Sequence, residues 1–300
     1  MASDDRRPRT SAEFGTRPRD DELDLFGITH VGRRRLENQD HFLVATVHPE
    51  LNVYETSLPP ASSLPVRGTR LATVMLVADG VGGSTGGREA SQLAIETITR
   101  YVSSTLRCYH AAGSSAEQEF VDALRDAVLE AHAAVRAESA ARPDVKRMAT
   151  TLTLFLAVWP WAYVVQVGDS RCYHYSHGKL DQLTKDQTIG QNLVDQGVLS
   201  PERMSKSPFS NVLASAIGAE EAEPVVSRVK MDGHGAFLLC SDGLTKHVGD
   251  DEIAAELKVL ASSEGACRHL LDLALERGGS DNITVLIARA TTRAGMASGA

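Results

Sequence analysis

Apolar and polar positions along the chain follow two periods, and the switches between them mark the elements. The uncharged run from Leu71 to Ala78 predicts a strand buried on both faces, since a half-exposed strand would alternate. It delivers Asp79 and then meets a glycine-rich turn, Gly80 to Gly87. Strand-like stretches are also expected at Leu23–Val31, Asp40–Val47, Thr150–Val158, Ala162–Gly168, Cys172–Tyr175, Leu180–Leu183, Ala236–Cys240 and Ile283–Ala290. The pairs flanking Trp159-Pro160-Trp161 and His177-Gly178 read as hairpins.

Helical spacing takes over between these runs. Ala90, Leu93, Ala94, Ile98, Tyr101, Val102 and Leu106 recur at three and four, as do Phe120, Leu124, Val128, Ala131 and Val135. Ser114 and Glu117 form a capping box for the second helix. A short helix is expected over Ile189–Gln196, and two more over Asp250–Leu260 and Glu264–Glu276, the last closed by Gly278-Gly279. This order favours an α+β fold over a doubly wound parallel sheet. Residues 1–22 and 291–300 lack any period and read as tails around one domain, 23–290; residues 48–69 read as a loop insertion and 185–223 as a surface excursion.

Composition narrows the function classes. A net charge of −8 leaves no basic footprint for nucleic acid. The apolar runs are far shorter than the roughly 20 residues of a membrane span, and MASDDRRPRT has no signal core, so the expectation is a cytoplasmic protein with no membrane partner. The cysteines Cys108, Cys172, Cys240 and Cys267 lie far apart and read as reduced thiols, Cys172 and Cys240 as packing residues beside strand cores.

The candidate chemistry lies in aspartates beside strand ends: Asp40, Asp79, Asp169, Asp242 and Asp281. Each alone is an ordinary turn former. If their strands share a core, however, the five converge at one end of it, and clustered anions need a compensating cation. Hard oxygen ligands select Mg²⁺ or Mn²⁺. Two such ions about 4 Å apart would activate a water against an electrophile such as a phosphoryl group. Arg35, just before Asp40, could grip phosphate oxygens with its planar fork of donors.

The ordered set Arg35-x-x-Asn38-Gln39-Asp40, Val77-Ala78-Asp79-Gly80-Val81-Gly82-Gly83, Ala149-Thr150-Thr151, Gly168-Asp169-Ser170-Arg171, Ser241-Asp242-Gly243-Leu244-Thr245 and Ser280-Asp281-Asn282-Ile283-Thr284 resembles the bacterial members of the metal-dependent, type 2C serine/threonine protein phosphatases. The resemblance implies a four-layer α-β-β-α sandwich, two antiparallel sheets flanked by helix pairs, with a dinuclear metal site at one end. It implies that Asp79 bridges two Mn²⁺ or Mg²⁺ ions and the Gly80 carbonyl binds the second. Asp242 and Asp281 would complete the first, and Asp40 would act at the second through water. Arg35 would hold the phosphate, and Asp169 would belong to a looser third site. The reaction implied is hydrolysis of phosphoserine and phosphothreonine by a metal-bridging hydroxide, in a monomer whose partners are phosphorylated proteins, kinases and their substrates among them. Residues 185–223 match the family's variable flap.

Four positions depart from the family pattern. Gln39 stands where many relatives have Glu, Ala149 replaces a Gly, and Val81 takes the place of a His used as general acid in eukaryotic members. Lys246 stands where some relatives have an Asp, and its ammonium would repel a third cation. Gln39 and Lys246 support one alternative, a pseudophosphatase that binds phosphoproteins without turnover. A nucleotide cradle at Gly80–Gly87 is disfavoured by Thr85 at the third-glycine position and by the missing Gly-Lys-Ser/Thr ending. His247, near Asp242, is the leading histidine to test as a proton donor.

Overall fold

The computed structural model describes residues 16–50, 67–81, 85–112, 117–142, 145, 148–204 and 207–291. Eleven strands and seven helices follow in the order β1 (Leu23–His30), β2 (Asp40–Val47), β3 (Ala72–Val81), α1 (Thr85–Ala112), α2 (Glu117–Ala141), β4 (Ala149–Thr150), β5 (Leu152–Val158), β6 (Trp161–Val167), β7 (Arg171–Ser176), β8 (Lys179–Gln182), α3 (Ile189–Asp195), α4 (Pro201–Met204), β9 (Val225–Lys230), β10 (Ala236–Cys240), α5 (Asp242–Thr245), α6 (Asp250–Lys258), α7 (Ser263–Glu276) and β11 (Ile283–Ala290). One sheet runs β1-β11-β10-β7-β8 and the other β2-β3-β5-β6-β9, with β4 added to β3. All the strand pairs are antiparallel.

Three apolar layers hold these elements in an α-β-β-α stack. The first packs Leu76, Leu154 and Tyr163 under Ile98, Leu106 and Leu124 of α1 and α2. The second packs Leu238, Val285 and Ile287 under Ile253, Leu257, Leu270 and Leu271 of α6 and α7. The third lies between the sheets and contains Met75, Val77, Phe155, Val164, Phe237, Leu239 and Leu286. Strand β3 is buried on both faces: Val74, Leu76 and Ala78 face the helices, whereas Met75 and Val77 face the opposite sheet.

Several boundaries differ from those expected. β3 runs past Asp79 to Val81, because Gly80 and Val81 pair with Thr150 and Ala149 of β4. β9 was not anticipated; it is a short edge strand carrying Arg228 and Lys230, and charges of that kind blur an apolar pattern at sheet edges. α5 is a single turn, too short to show a period. Part of the tail expected over residues 1–22 is folded: Asp20–Glu22 form a 3-10 turn, and Asp20 pairs with the buried Arg70. Ser114 of the expected capping box, most of the 48–69 insertion and Gly82-Gly83 lie outside the described residues. Cys172, Cys240 and Cys267 are free and buried, as packing thiols should be.

Leu239 is wholly buried in the inter-sheet layer. Leu239→Ala should lower unfolding free energy by about 2–5 kcal/mol. Val259→Ala, at an exposed position, should change it by less than about 0.5 kcal/mol; urea denaturation compares the two.

Candidate metal centre

The two-residue period that builds the inter-sheet layer also builds the site. Asp79 follows Met75 and Val77 on one face of β3, and Asp40 shares the face of Phe42 and Val44 on β2. Thr284 likewise precedes Leu286 on β11. Along these faces the side chains change from apolar to acidic and hydroxylic at one end of the sandwich. Antiparallel register sets Asp40 directly opposite Asp79.

Asp242 and Asp281 arrive from the other sheet. β10 ends at Cys240, and Ser241, its hydroxyl turned to Asp40 and Thr284 N, precedes the one-turn helix whose first residue is Asp242. Gly243 is required there, since a Cβ would overlap the Asn282 carbonyl. Asp281 precedes β11, and Asn282 ties the neighbouring loop to it: its Nδ2 donates to the carbonyls of Val31 and Glu37, and its Oδ1 accepts from Gln39 N at 2.9 Å. Gly80 N donates to the Gln39 carbonyl, and any Cβ on Gly80 would overlap the Gly87 carbonyl. The glycine at position 80 therefore allows β3, α1 and the 39–40 segment to meet. Thr150 Oγ1 and Thr151 N both donate to Asp79 O at 2.9 Å, which fixes the backbone that carries the carboxylate.

All five aspartates meet electrostatically. Burial raises the Asp79 carboxyl well above its ordinary value, and the charges of Asp40, Asp242, Asp169 and Asp281 raise it further. Burial pushes Asp40 up to about 6, although Thr284 and Ser241 hydroxyls donate to its Oδ2 at 2.7 Å each. Asp169 is pushed up to about 7 by burial, then by Asp242 and Asp186. Burial also raises Asp242, against the opposing pull of Lys246. Asp281 is the exception. Burial would raise it, but hydrogen bonds from Arg35 and Lys246 prevail and hold it below its ordinary value.

Arg35 grips Asp281 through two parallel bonds, Nε to Oδ1 at 2.6 Å and Nη2 to Oδ2 at 2.9 Å. Lys246 Nζ lies 2.6 Å from Asp242 Oδ2 and 2.7 Å from Asp281 Oδ2. Among the described residues, no three His, Cys, Asp or Glu side chains close on a single point. Two carboxylate oxygens, Asp40 Oδ1 and Asp242 Oδ1, are buried without a hydrogen-bond donor. Such oxygens are costly to leave bare, and an all-oxygen donor set with bare anionic atoms fits a hard divalent cation.

The 185–223 segment is tied to the same strands: Thr150 bridges Ile217, and Gln187 exchanges hydrogen bonds with Gly168 beside Asp169. His247 Nε2 lies 2.9 Å from both Ser280 N and Ser280 Oγ, so the ring braces the loop leading to Asp281. Sequence reasoning assigned no role to Asn282, Ser241 or Thr284, although all three lie within the quoted motifs. It placed Lys246 near a third ion and missed its bridge between Asp242 and Asp281.

Comparison with known proteins shows the family of the chain. Residues 65–275 match the model of the protein phosphatase 2C family. The chain belongs to that family. The matched span holds Asp79, Asp169 and Asp242, while Arg35, Asp40 and Asp281 lie outside it. The serine/threonine protein phosphatase PstP of Mycobacterium tuberculosis is 35% identical over 217 residues, 72% of this chain and 40% of PstP, so the chain spans well under half of that relative's length. The serine/threonine phosphatase stp of Listeria welshimeri is 31% identical over 71% of this chain and 83% of its own length. Among solved structures, Mycobacterium tuberculosis PstP/Ppp aligns with a TM-score of 0.71 at 28% identity, covering 90% of this chain and 99% of that one. The PstP catalytic domain in complex with two manganese ions aligns at 0.68 with the same identity and coverage.

The raised carboxyls make metal-free stability depend on pH. An aspartate whose folded pKa exceeds its unfolded value of about 3.9 contributes stability below that value and loses it as pH rises through the folded pKa. For Asp169 that loss runs from about pH 4 and is complete just above about pH 7. In chelator, Asp169→Asn should therefore match the unmutated protein at about pH 4 and melt at an increasingly higher temperature up to about pH 7; differential scanning fluorimetry across that range checks the sign.

Proposed function

We infer that the chain is a metal-dependent protein serine/threonine phosphatase acting on phosphorylated proteins. The observation that carries this reading is the convergence of Asp40, Asp79, Asp169, Asp242 and Asp281 at one end of the sandwich, with two buried carboxylate oxygens lacking any donor. Membership of the protein phosphatase 2C family supports it, as does the likeness to a PstP catalytic domain that holds two manganese ions.

Asp79 would hold both ions, with the Gly80 carbonyl and Asp40 on one side and Asp242 and Asp281 on the other. Two divalent ions bound there supply the positive charge that lowers the pKa of a water and neutralises a phosphoryl group during in-line displacement. The chain's own residues do the rest. Arg35 is about half exposed and anchored on Asp281 through Nε and Nη2, and the rest of its fork would take phosphate oxygens. Ser241 and Thr284 keep Asp40 turned inward, and Thr150 and Thr151 stiffen the Asp79 backbone. Val81, about 38% exposed beside Gly80, brings no proton donor to the leaving group.

Phosphoprotein binding without turnover is the second reading, favoured by the cations already seated on Asp281. Hydrolysis of a phosphothreonine peptide decides between them. The phosphatase reading expects Mn²⁺-dependent turnover that falls by at least about 10²-fold in Asp79→Asn, which removes the shared ligand. Absence of turnover with both Mn²⁺ and Mg²⁺ would leave only the binding role. Asp40 and Asp169 titrate near 6 and 7 in the metal-free protein and must be deprotonated to serve an ion. Mn²⁺ affinity should therefore rise between pH 5.5 and 7.5, roughly the window those two values set, with proton release visible as a buffer-dependent enthalpy in calorimetry.

A further inference from the structure

The one-turn helix α5 returns the chain over its own first residue. Lys246 N donates to Asp242 O at 2.9 Å, and Leu244, wholly buried, accepts from His247 N and Val248 N, so the turn is pinned from below. Lys246 therefore rises four residues beyond Asp242 on the same face, where the two side chains meet. Its Nζ continues past Asp242 to Asp281, at 2.6 and 2.7 Å from one oxygen of each. The side chain is only 26% exposed.

The occupancy of Asp281 is the decisive point. Oδ1 accepts from Arg35 Nε and from Asn282 N; Oδ2 accepts from Arg35 Nη2 and from Lys246. Neither oxygen lacks a cationic donor. An ion such as Mg²⁺ needs carboxylate oxygens at about 2.0–2.1 Å, and a second positive charge a few ångströms away opposes it strongly in a partly desolvated site.

We propose that Lys246 is a tethered counter-ion of the carboxylate cluster, spanning Asp242 and Asp281 in the metal-free protein, so that an ion binds there only by displacing its ammonium. This rests on the metal-centre reading above. It assigns Lys246 two effects of opposite sign. The ammonium stabilises the fold when metal is absent, since it neutralises two neighbouring carboxylates that would otherwise repel. It also weakens metal binding, because the ion must break the bridge that the lysine makes. The chain would then tolerate loss of metal better than a centre lined by acids alone, and would load only at higher ion concentrations.

Lys246→Met removes the charge and keeps the unbranched stem; Lys246→Gln serves the same comparison if the methionine variant does not fold, and Lys246→Arg keeps the cation. In chelator at pH 7.5, Lys246→Met should melt lower than the unmutated protein by at least about 3 °C, while Lys246→Arg should stay close to it. Titrated with Mn²⁺ by calorimetry, Lys246→Met should bind about tenfold more tightly or better, and its melting temperature should rise more on metal addition. An equal or higher metal-free melting temperature in Lys246→Met would overturn the proposal, as would an unchanged or weaker Mn²⁺ affinity. If no variant and no unmutated protein binds Mn²⁺, the metal-centre reading fails instead, and the melting comparison in chelator still decides the counter-ion role.

Discussion

Repulsion among carboxylates is the constraint to which the rest of this molecule answers. Asp40, Asp79, Asp169, Asp242 and Asp281 are gathered where burial already disfavours their charge. A flexible chain would let them separate. Here they are carried by β2, β3 and the segments flanking β7, β10 and β11, whose other residues are locked into three apolar layers. Hydrophobic burial elsewhere thus supplies the free energy that holds like charges together, and the strain is relieved locally by hydroxyl donors, Arg35 and Lys246. Such concentrated unfavourable charge is what a site for divalent cations requires, because the ion then replaces repulsion with attraction.

The fold was legible to the extent that each strand carried a period. β2 and β11 begin and end where the apolar pattern says, at Asp40–Val47 and Ile283–Ala290, because one flank of each is a charged loop and the other a clear change of composition. The glycine at position 80 misled: glycine signals a turn, yet here the strand continues, since β4 pairs with it and no side chain could fit against Gly87. β9 escaped notice because an edge strand needs little burial and tolerates Arg228 and Lys230.

The candidate site was legible as a list of acids but not as a network. Which oxygen of Asp281 meets which cation depends on how α5 turns and how Asn282 fastens the 32–39 loop, and neither follows from spacing. Lys246 illustrates the difference. One-dimensional comparison placed it beside a third ion, whereas the helical turn folds its ammonium back across the pair Asp242 and Asp281. His247 adds a contact that spacing did not show: besides lying near Asp242 in sequence, it bonds Ser280 and so braces the loop before Asp281.

The inter-sheet layer has a further consequence. Facing sheets stack about 10 Å apart, and acids from both sheets reach across that gap, Asp40 and Asp79 from one side, Asp242 and Asp281 from the other. The gap is propped open by Met75, Phe155, Phe237 and Leu286, with the two phenylalanine rings 4.5 Å apart between centroids. The volume of these side chains sets how far apart the two acidic walls stand. The aromatic spacer therefore works as a gauge block for the centre, and its dimensions can be retuned without altering a single charged group.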